Sequence, residues 1–305
     1  MSFAFNASAL AFGGRIQQPS STVIPSQASV SLAPSGGEGY ETVRNFDYKG
    51  IITFDEASVY VAGSEHGDIR NTLASVTIKN LNVLNLLHAD LLSSRITSRH
   101  VLGEDEGEIT FHGTSTDNLR IGGKPAKVNF NHDFYARYPT HAKLDAVMKR
   151  AAGEVDDNDV RRLIEEDSQE AVSATNCSQQ SALEQSRRKT VAQLLAGRFC
   201  WDKQGCAAGA PNDHGSIHCS LVDSIEGIDV VDESQVGADE LRSKHPVRRH
   251  GYVIKVAEFG SIKVGELIIK PGERRLNLLR FQFGCPIIGD GTSASVMSNG
   301  TDIMP

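Results

Sequence analysis

No segment of this chain is apolar for the roughly 18–20 residues that a membrane-spanning helix needs. The longest apolar cluster, Leu81 to Leu92, is broken by Asn82, Asn85, His88 and Asp90. The opening MSFAFNASALAFGG has no positive charge ahead of its apolar residues, so it reads poorly as a signal peptide. That points to the cytoplasm, or to the cell surface or the extracellular space if a leader was removed ahead of Met1. Cysteine is scarce and odd in number, with Cys177, Cys200, Cys206, Cys219 and Cys285 making five. A disulfide scaffold is therefore not expected, although Cys200 and Cys206 would close a small loop in an oxidising compartment. Positive charge is in deficit at a formal net charge of -7, which argues against nucleic-acid binding. Aromatic residues are only 6% of the chain, with one Trp. Trp201 and Tyr138 are the aromatic candidates for lining a sugar site.

Catalytic signatures are missing as well. Ser186-Arg187-Arg188-Lys189 fits S-x-x-K, but neither S-D-N nor K-T-G accompanies it. Gly215-Ser216 lacks the G-x-S-x-G elbow, and Gly122-Gly123-Lys124 is not a phosphate loop. Asp156, Asp157, Asn158 and Asp159 lack the central Gly and distal Glu of a calcium loop. A helix start explains them, because acidic side chains suit the positive end of a helix dipole. No repeat with a period of about 20–50 residues appears.

What is present is β pattern. Hydrophobic residues are 39% of the chain, enough for a core, and 28 glycines supply turns. Ala57, Val59 and Val61 alternate with Ser58, Tyr60 and Ala62, and Ala74, Val76 and Ile78 follow. The apolar parity then shifts at Asn80–Leu81. Side chains in a strand alternate with a period of two, so a shift predicts a bulge or a corner. Ile109 and Phe111 mark another short strand. Ala126, Val128, Phe130, His132 and Phe134 share one face of a predicted half-buried strand. On it His132 reads as a satisfied, half-buried histidine rather than a ligand or base. Near the C-terminus Tyr252–Val256, Ile262–Ile269 and Leu276–Phe283 read as three strands, the last two joined by a Pro271-Gly272 turn. A second parity change predicts a bulge near Leu278.

Helical spacing is confined to the middle. Thr140 can cap a helix bearing Leu144, Val147, Met148 and Ala151. Two more helices are expected, over VRRLIEED and over about 181–195. The expected fold class is therefore mainly β, or β-dominated α+β. Antiparallel sheets would form a sandwich or solenoid-like arrangement with a helical insertion. Its divisions are an irregular N-terminal arm (1–39), a discontinuous β domain (40–138 and 216–290), a helical insertion and loop (139–215) and a polar tail (291–305).

The segment ASVTIKNLNVL, then LLHADLLSSRITS, then ITFHGTSTDNLRIGG, spanning about residues 74–123, resembles bacterial surface proteins of the choice-of-anchor kind. The resemblance implies a β-rich surface or matrix protein and carries over no catalytic residue.

Two groups of residues remain as candidate sites. His214, His218 and Cys219, with Cys200 and Cys206 upstream, offer zinc-type ligands at a spacing that matches no standard module. Arg242, Lys244, Arg248 and Arg249, with Arg274 and Arg275 beside the Pro-Gly turn, form a basic group suited to an anionic polymer or a protein partner. The sequence predicts no cofactor and no catalytic residue. It points to a non-enzymatic structural or interaction protein, a self-associating surface or matrix component that forms homo-oligomers or binds a protein. The alternatives are a metal-dependent module or enzyme around His214, His218 and Cys219, and a carbohydrate-binding protein.

Overall fold

A computed structural model describes residues 2–151, 217–228, 247–250, 253–256, 259–284 and 287–303. The first half of the chain runs β1 (Ser2–Gln18), β2 (Thr22–Ser31), β3 (Gly37–Tyr48), β4 (Ile52–His66), β5 (Ile69–Val83) and β6 (Leu87–Val101). Short strands follow: β7 (Glu108–Thr110), β8 (Ser115–Asp117), β9 (Arg120–Ile121), β10 (Lys124–Pro125) and β11 (Lys127–Phe130). Two helices come next, α1 (His132–Arg137) and α2 (His141–Ala151). The rest is β12 (Ile217–Ser220), β13 (Val222–Glu226), β14 (Val247–His250), β15 (Val253–Val256), β16 (Gly260–Lys270), β17 (Glu273–Phe283) and β18 (Ile288–Ile303).

All of these strands but β11 and β13, which pair as a two-stranded ribbon, make two antiparallel sheets packed face to face. Sheet A has the order β14-β15-β16-β17-β18-β1-β2, with β12 also on β16. Sheet B has the order β10-β9-β6-β5-β4-β3, with β7 and β8 also on β6. In the sandwich β1 lies over β4 and β5, and β18 lies over β5 and β6. Inward side chains such as Val59, Val76, Ile96, Leu276 and Val296 fill the space between, and outward ones meet solvent. The fold is thus the mainly β antiparallel arrangement that the alternation implied.

Four expectations change. Residues 1–39 are not an irregular arm, because β1 is an interior strand of sheet A and β2 is its edge. The 291–305 segment is not a tail, because β18 is held between β1 and β17. Both were disguised by small residues. Ala7, Ala9 and Ala11 face inward from β1, and Ser293, Ala294 and Ser298 are buried in β18. The predicted strand over 126–134 stops at Phe130, because the Asn131 side chain accepts a hydrogen bond from Phe134 N–H and starts α1. The two β-rich regions, expected to pair into a common sheet system, lie mostly in different sheets. Among the described residues they meet in a ladder where β11 pairs with β13. At α2, Thr140 Oγ1 accepts from Lys143 N–H at 3.3 Å, as a cap should. The two further predicted helices lie outside the described residues.

A crease crosses each sheet where the parity shifts. In sheet A the pairs on either side of Gly265, Leu278, Ala294, Ala11 and Ala28 are in register, and those five residues step out of the ladder. Gly265, Ala294 and Ala28 have φ of 62°, 54° and 46°. The step turns consecutive side chains inward, so Leu276, Asn277, Leu278 and Leu279 are all buried. The bulge expected near Leu278 is part of this line. Sheet B creases along Asn45, Asp55, Asn80, Asp90 and Asn118, again with alternate residues left-handed: Asn45 (φ 53°), Asn80 (φ 53°) and Asn118 (φ 45°). Asn tolerates this conformation best among residues with a side chain. Here the doubled residues point outward. Asn80 Nδ2 donates to Asp55 at 2.6 Å, and Asn118 Nδ2 donates to Asp90 at 2.9 Å. Between the creases Phe12 contacts Phe281 and Phe46 at ring distances of 6.0 and 6.3 Å. Away from them, the hydroxyls of Thr72, Ser98 and Ser298 bond one another across the two sheets.

The β2 and β3 edges lie side by side. Ser29 N–H donates to Glu41 at 2.7 Å, and a side chain on Gly39 would meet Val30 at 2.5 Å, so the layers close tightly there. Pro25 interrupts β2, and Glu38, Glu41 and Arg44 charge β3, which are ordinary means of blocking strand addition at an edge.

Candidate functional site

The outer face of sheet B carries a regular array of polar side chains. Its side chains fall into rungs, because on this side of the crease the four long strands keep one register. Arg44, Glu56 and Lys79 make the lowest rung, with both ion pairs at 2.8 Å. The two cations hold the Glu56 carboxyl at about 2, well below its usual range, with the Lys79 bond the larger cause and the Arg44 bond next. Above it lie Thr42, Ser58, Thr77 and Ser93, then Tyr40, Tyr60, Ser75 and Arg95. Next come Glu38, Ala62, Leu73, Thr97 and Thr110.

Tyr40 and Tyr60 sit directly opposite each other on β3 and β4. Tyr40 is 66% exposed. The Tyr60 hydroxyl donates to Glu38 at 3.1 Å, and that bond raises the phenol's pKa. Beyond the tyrosines, β5, β6 and β7 border a depression of about 500 Å³. Ala62 and Leu73 form part of its lining, along with Asn71, Arg95, Thr97 and Thr110. Thr97 and Thr110 share a hydroxyl–hydroxyl bond of 2.7 Å. Arg99 and Glu108 stand at the rim 3.9 Å apart.

Arg95 is positioned by a local substitution for a ladder partner. Strand β6 pairs with β8 through Ser93 and with β7 from Thr97, leaving Arg95 between them. The buried Thr114 hydroxyl fills that gap by accepting from Arg95 N–H at 3.1 Å and donating to Arg95 O at 3.3 Å. The Arg95 side chain then lies across Gly113, whose missing Cβ leaves room for it. Among the described residues its guanidinium has no hydrogen-bond or ion-pair partner.

The residues that the sequence singled out are dispersed. Cys200, Cys206, His214, Arg242 and Lys244 lie outside the described residues, as does Trp201. His218 pairs through its backbone with Ile268, and Cys219 is fully buried. Among the described residues no three His, Cys, Asp or Glu side chains converge as a metal site would require. Arg248 and Arg249 belong to β14, far along sheet A from Arg274 and Arg275 on β17. Arg274 is 1% exposed, whereas Arg275 faces out and donates to Met297 Sδ at 3.5 Å.

Arg274 belongs to a buried polar cluster under the β7–α2 region. Its guanidinium donates to Ile109 O at 3.4 Å and Tyr138 O at 3.2 Å and lies 5.9 Å from the Phe111 ring. Burial lowers its pKa to about 10, partly opposed by nearby Cys219, Tyr135 and Glu106. The Tyr135 hydroxyl donates to Ser220 O at 2.7 Å and lies 3.3 Å from Cys219 Sγ. Glu106 in turn accepts from His141 N–H at 2.7 Å at the start of α2. This cluster ties the helices to sheet A, and its centre of Arg274, Tyr135, Cys219 and Ser220 is buried. Tyr138 packs on Phe134 at 5.2 Å rather than lining an open site. His132 is half-buried, as expected, with Nε2 3.2 Å from Thr114 O. Burial and the neighbouring His112 lower its pKa.

The sequence did not single out Tyr40, Arg95 or Arg99. The signal that exposes them is the polar half of the alternation in β3 to β6, read across strands once the register is known.

Comparison with curated proteins and with solved structures finds no match for the chain. No described helix is long and apolar enough to cross a membrane. The profile of a domain of unknown function, DUF8256, matches residues 3–270, and the chain belongs to that family.

Proposed function

We propose that the protein is a non-enzymatic interaction protein that receives its partner on the outer face of sheet B. The observation that carries this reading is the set of adjacent, largely polar rungs held in register over β3 to β6, with short hydroxyl side chains between the long ones. Such a face is flat and rigid, so little conformational entropy is lost when a partner covers it. Its inner side is spent on the core, and the edge strands β2 and β3 carry Pro25 and charged residues that oppose strand addition. A partner therefore meets the face rather than the β2 and β3 edges. A surface or matrix role, with self-association or a foreign partner, fits the same contact.

Ser75 lies between Tyr60 and Arg95 and points outward. Ser75→Trp would obstruct the face without entering the core. Wild-type protein and this variant are applied to combined glycan, peptide and protein arrays, with light scattering to follow self-association. A ligand or oligomer present with the wild type and lost in Ser75→Trp is the expected result. Capture that is identical for both proteins, or no capture of any class, refutes the reading.

A further inference from the structure

We infer that the depression beside Arg95 binds an oligosaccharide bearing carboxylates, a uronic-acid polymer in particular; this rests on the outer face of sheet B being the contact surface. Three observations converge. The first is charge. Arg95 and Arg99 line the depression against one acid, Glu108, and the Arg95 guanidinium has no partner among the described residues, although the chain as a whole carries -7. A planar guanidinium held ready is suited to a carboxylate, which it can engage through two parallel bonds.

The second is the kind of polar group present. Asn71, Thr97 and Thr110 each offer both donor and acceptor atoms, which is what sugar hydroxyls require. Ala62 and Leu73 leave an apolar patch for the C–H surface of a pyranose ring. The third is the tyrosine pair. Tyr60 lies on the same rung as Arg95 with Ser75 between them. Two strand spacings put them about 10 Å apart. A chain that seats one carboxylate on Arg95 can therefore lay a neighbouring sugar against Tyr60 and Tyr40.

The alternatives fit less well. A peptide brings backbone amides that need partners, and the backbone groups of this face are already used in its own ladders. A nucleic acid gains most of its affinity from several cations along its phosphates. Among the described residues this surface offers Arg95 as its unpaired guanidinium, Arg99 being loosely matched to Glu108.

The test is calorimetry of the full chain with tetrasaccharides of galacturonate, glucuronate, guluronate and mannuronate. The tightest of these is then compared with its methyl ester and with hexaglutamate. At least one uronate should bind. Its methyl ester should bind at least tenfold more weakly, and so should Arg95→Gln. Thr97→Val should weaken binding severalfold, and Lys270→Gln, on the far sheet, should leave it unchanged. Melting curves of each variant establish that it is folded. The inference is overturned if no uronate binds, if acid and ester bind alike, if Arg95→Gln binds as the wild type does, or if hexaglutamate binds as tightly. Should the arrays instead yield a ligand of another class that Ser75→Trp loses, this inference falls while the outer-face reading stands. An array that yields nothing removes both.

Discussion

Replacing Arg274 separates packing from polarity at the buried centre that joins the helices to sheet A. Burial lowers the guanidinium pKa from 12.5 to about 10, which corresponds to a cost of about 3 kcal/mol for keeping the charge there. Any uncharged replacement recovers that cost. It also strips the donor from Ile109 O and Tyr138 O, and each buried carbonyl left bare costs about 1–3 kcal/mol. These polar contributions oppose each other and are of similar size, so the side-chain stem decides the outcome. Arg274→Ala removes that stem at about 0.8 kcal/mol per methylene and loses the contact with Phe111. A net loss of about 3 kcal/mol is expected. Arg274→Met keeps most of the stem and should lose about 1 kcal/mol or less. Urea unfolding followed by tyrosine and tryptophan fluorescence gives both values from the midpoints at constant slope. If Met is as damaging as Ala, the two carbonyls rather than the stem govern this site, and the reasoning is wrong.

Four other outcomes follow from the same structure. Because the His132 pKa is lowered by burial and His112, the unfolded chain binds a proton that the native protein refuses, and stability falls as pH drops through about 6.5. His132→Gln should flatten the urea midpoint between about pH 7 and pH 5; an unchanged slope would count against this. Glu56 titrates near 2 instead of 4.5, so its ion pairs support the fold above 4.5 and that support is lost as pH falls toward 2; a carboxyl NMR titration with a midpoint near 4.5 would contradict the pairing. A Cβ on Gly291 would stand 2.4 Å from Phe281 Cε2, so Gly291→Ala should lower stability by about 1–3 kcal/mol, measured by thermal melting. Asn80 has φ 53° and bonds Asp55; Asn80→Ala should cost about 1 kcal/mol and Asn80→Gly less, and the reverse order in denaturant titrations would refute the left-handed assignment.

The creases were readable because parity survives in large residues. Ile78 and Leu81 are both buried with two exposed residues between them, and Leu278 and Leu279 are buried in succession. The Thr140 cap was readable for the same local reason. Strands β1 and β18 were not, because alanine, serine and glycine carry too little hydrophobic contrast for their inward and outward positions to be told apart. The end of β11 was hidden because one asparagine side chain reversed a pattern that otherwise continued. The outer-face site was hidden more deeply. Tyr60 and Arg95 are far apart in the chain, and only the pairing of β4 with β5 and β5 with β6 puts them on one line.

The ladder between β1 and β18 runs from Ser2 opposite Ile303 to Gln18 opposite Ile288. Sheet A is therefore closed late: during synthesis β1 gains β2 at once but must wait for nearly the whole described chain before its other neighbour, β18, exists. The sequence separation makes closure slow, and until then the facing sides of β1 and β17 are bare templates for a foreign strand. Anything fused before Ser2 would leave the fold beside anything fused after Ile303, so one short linker would join the two ends and permit new openings elsewhere in the chain.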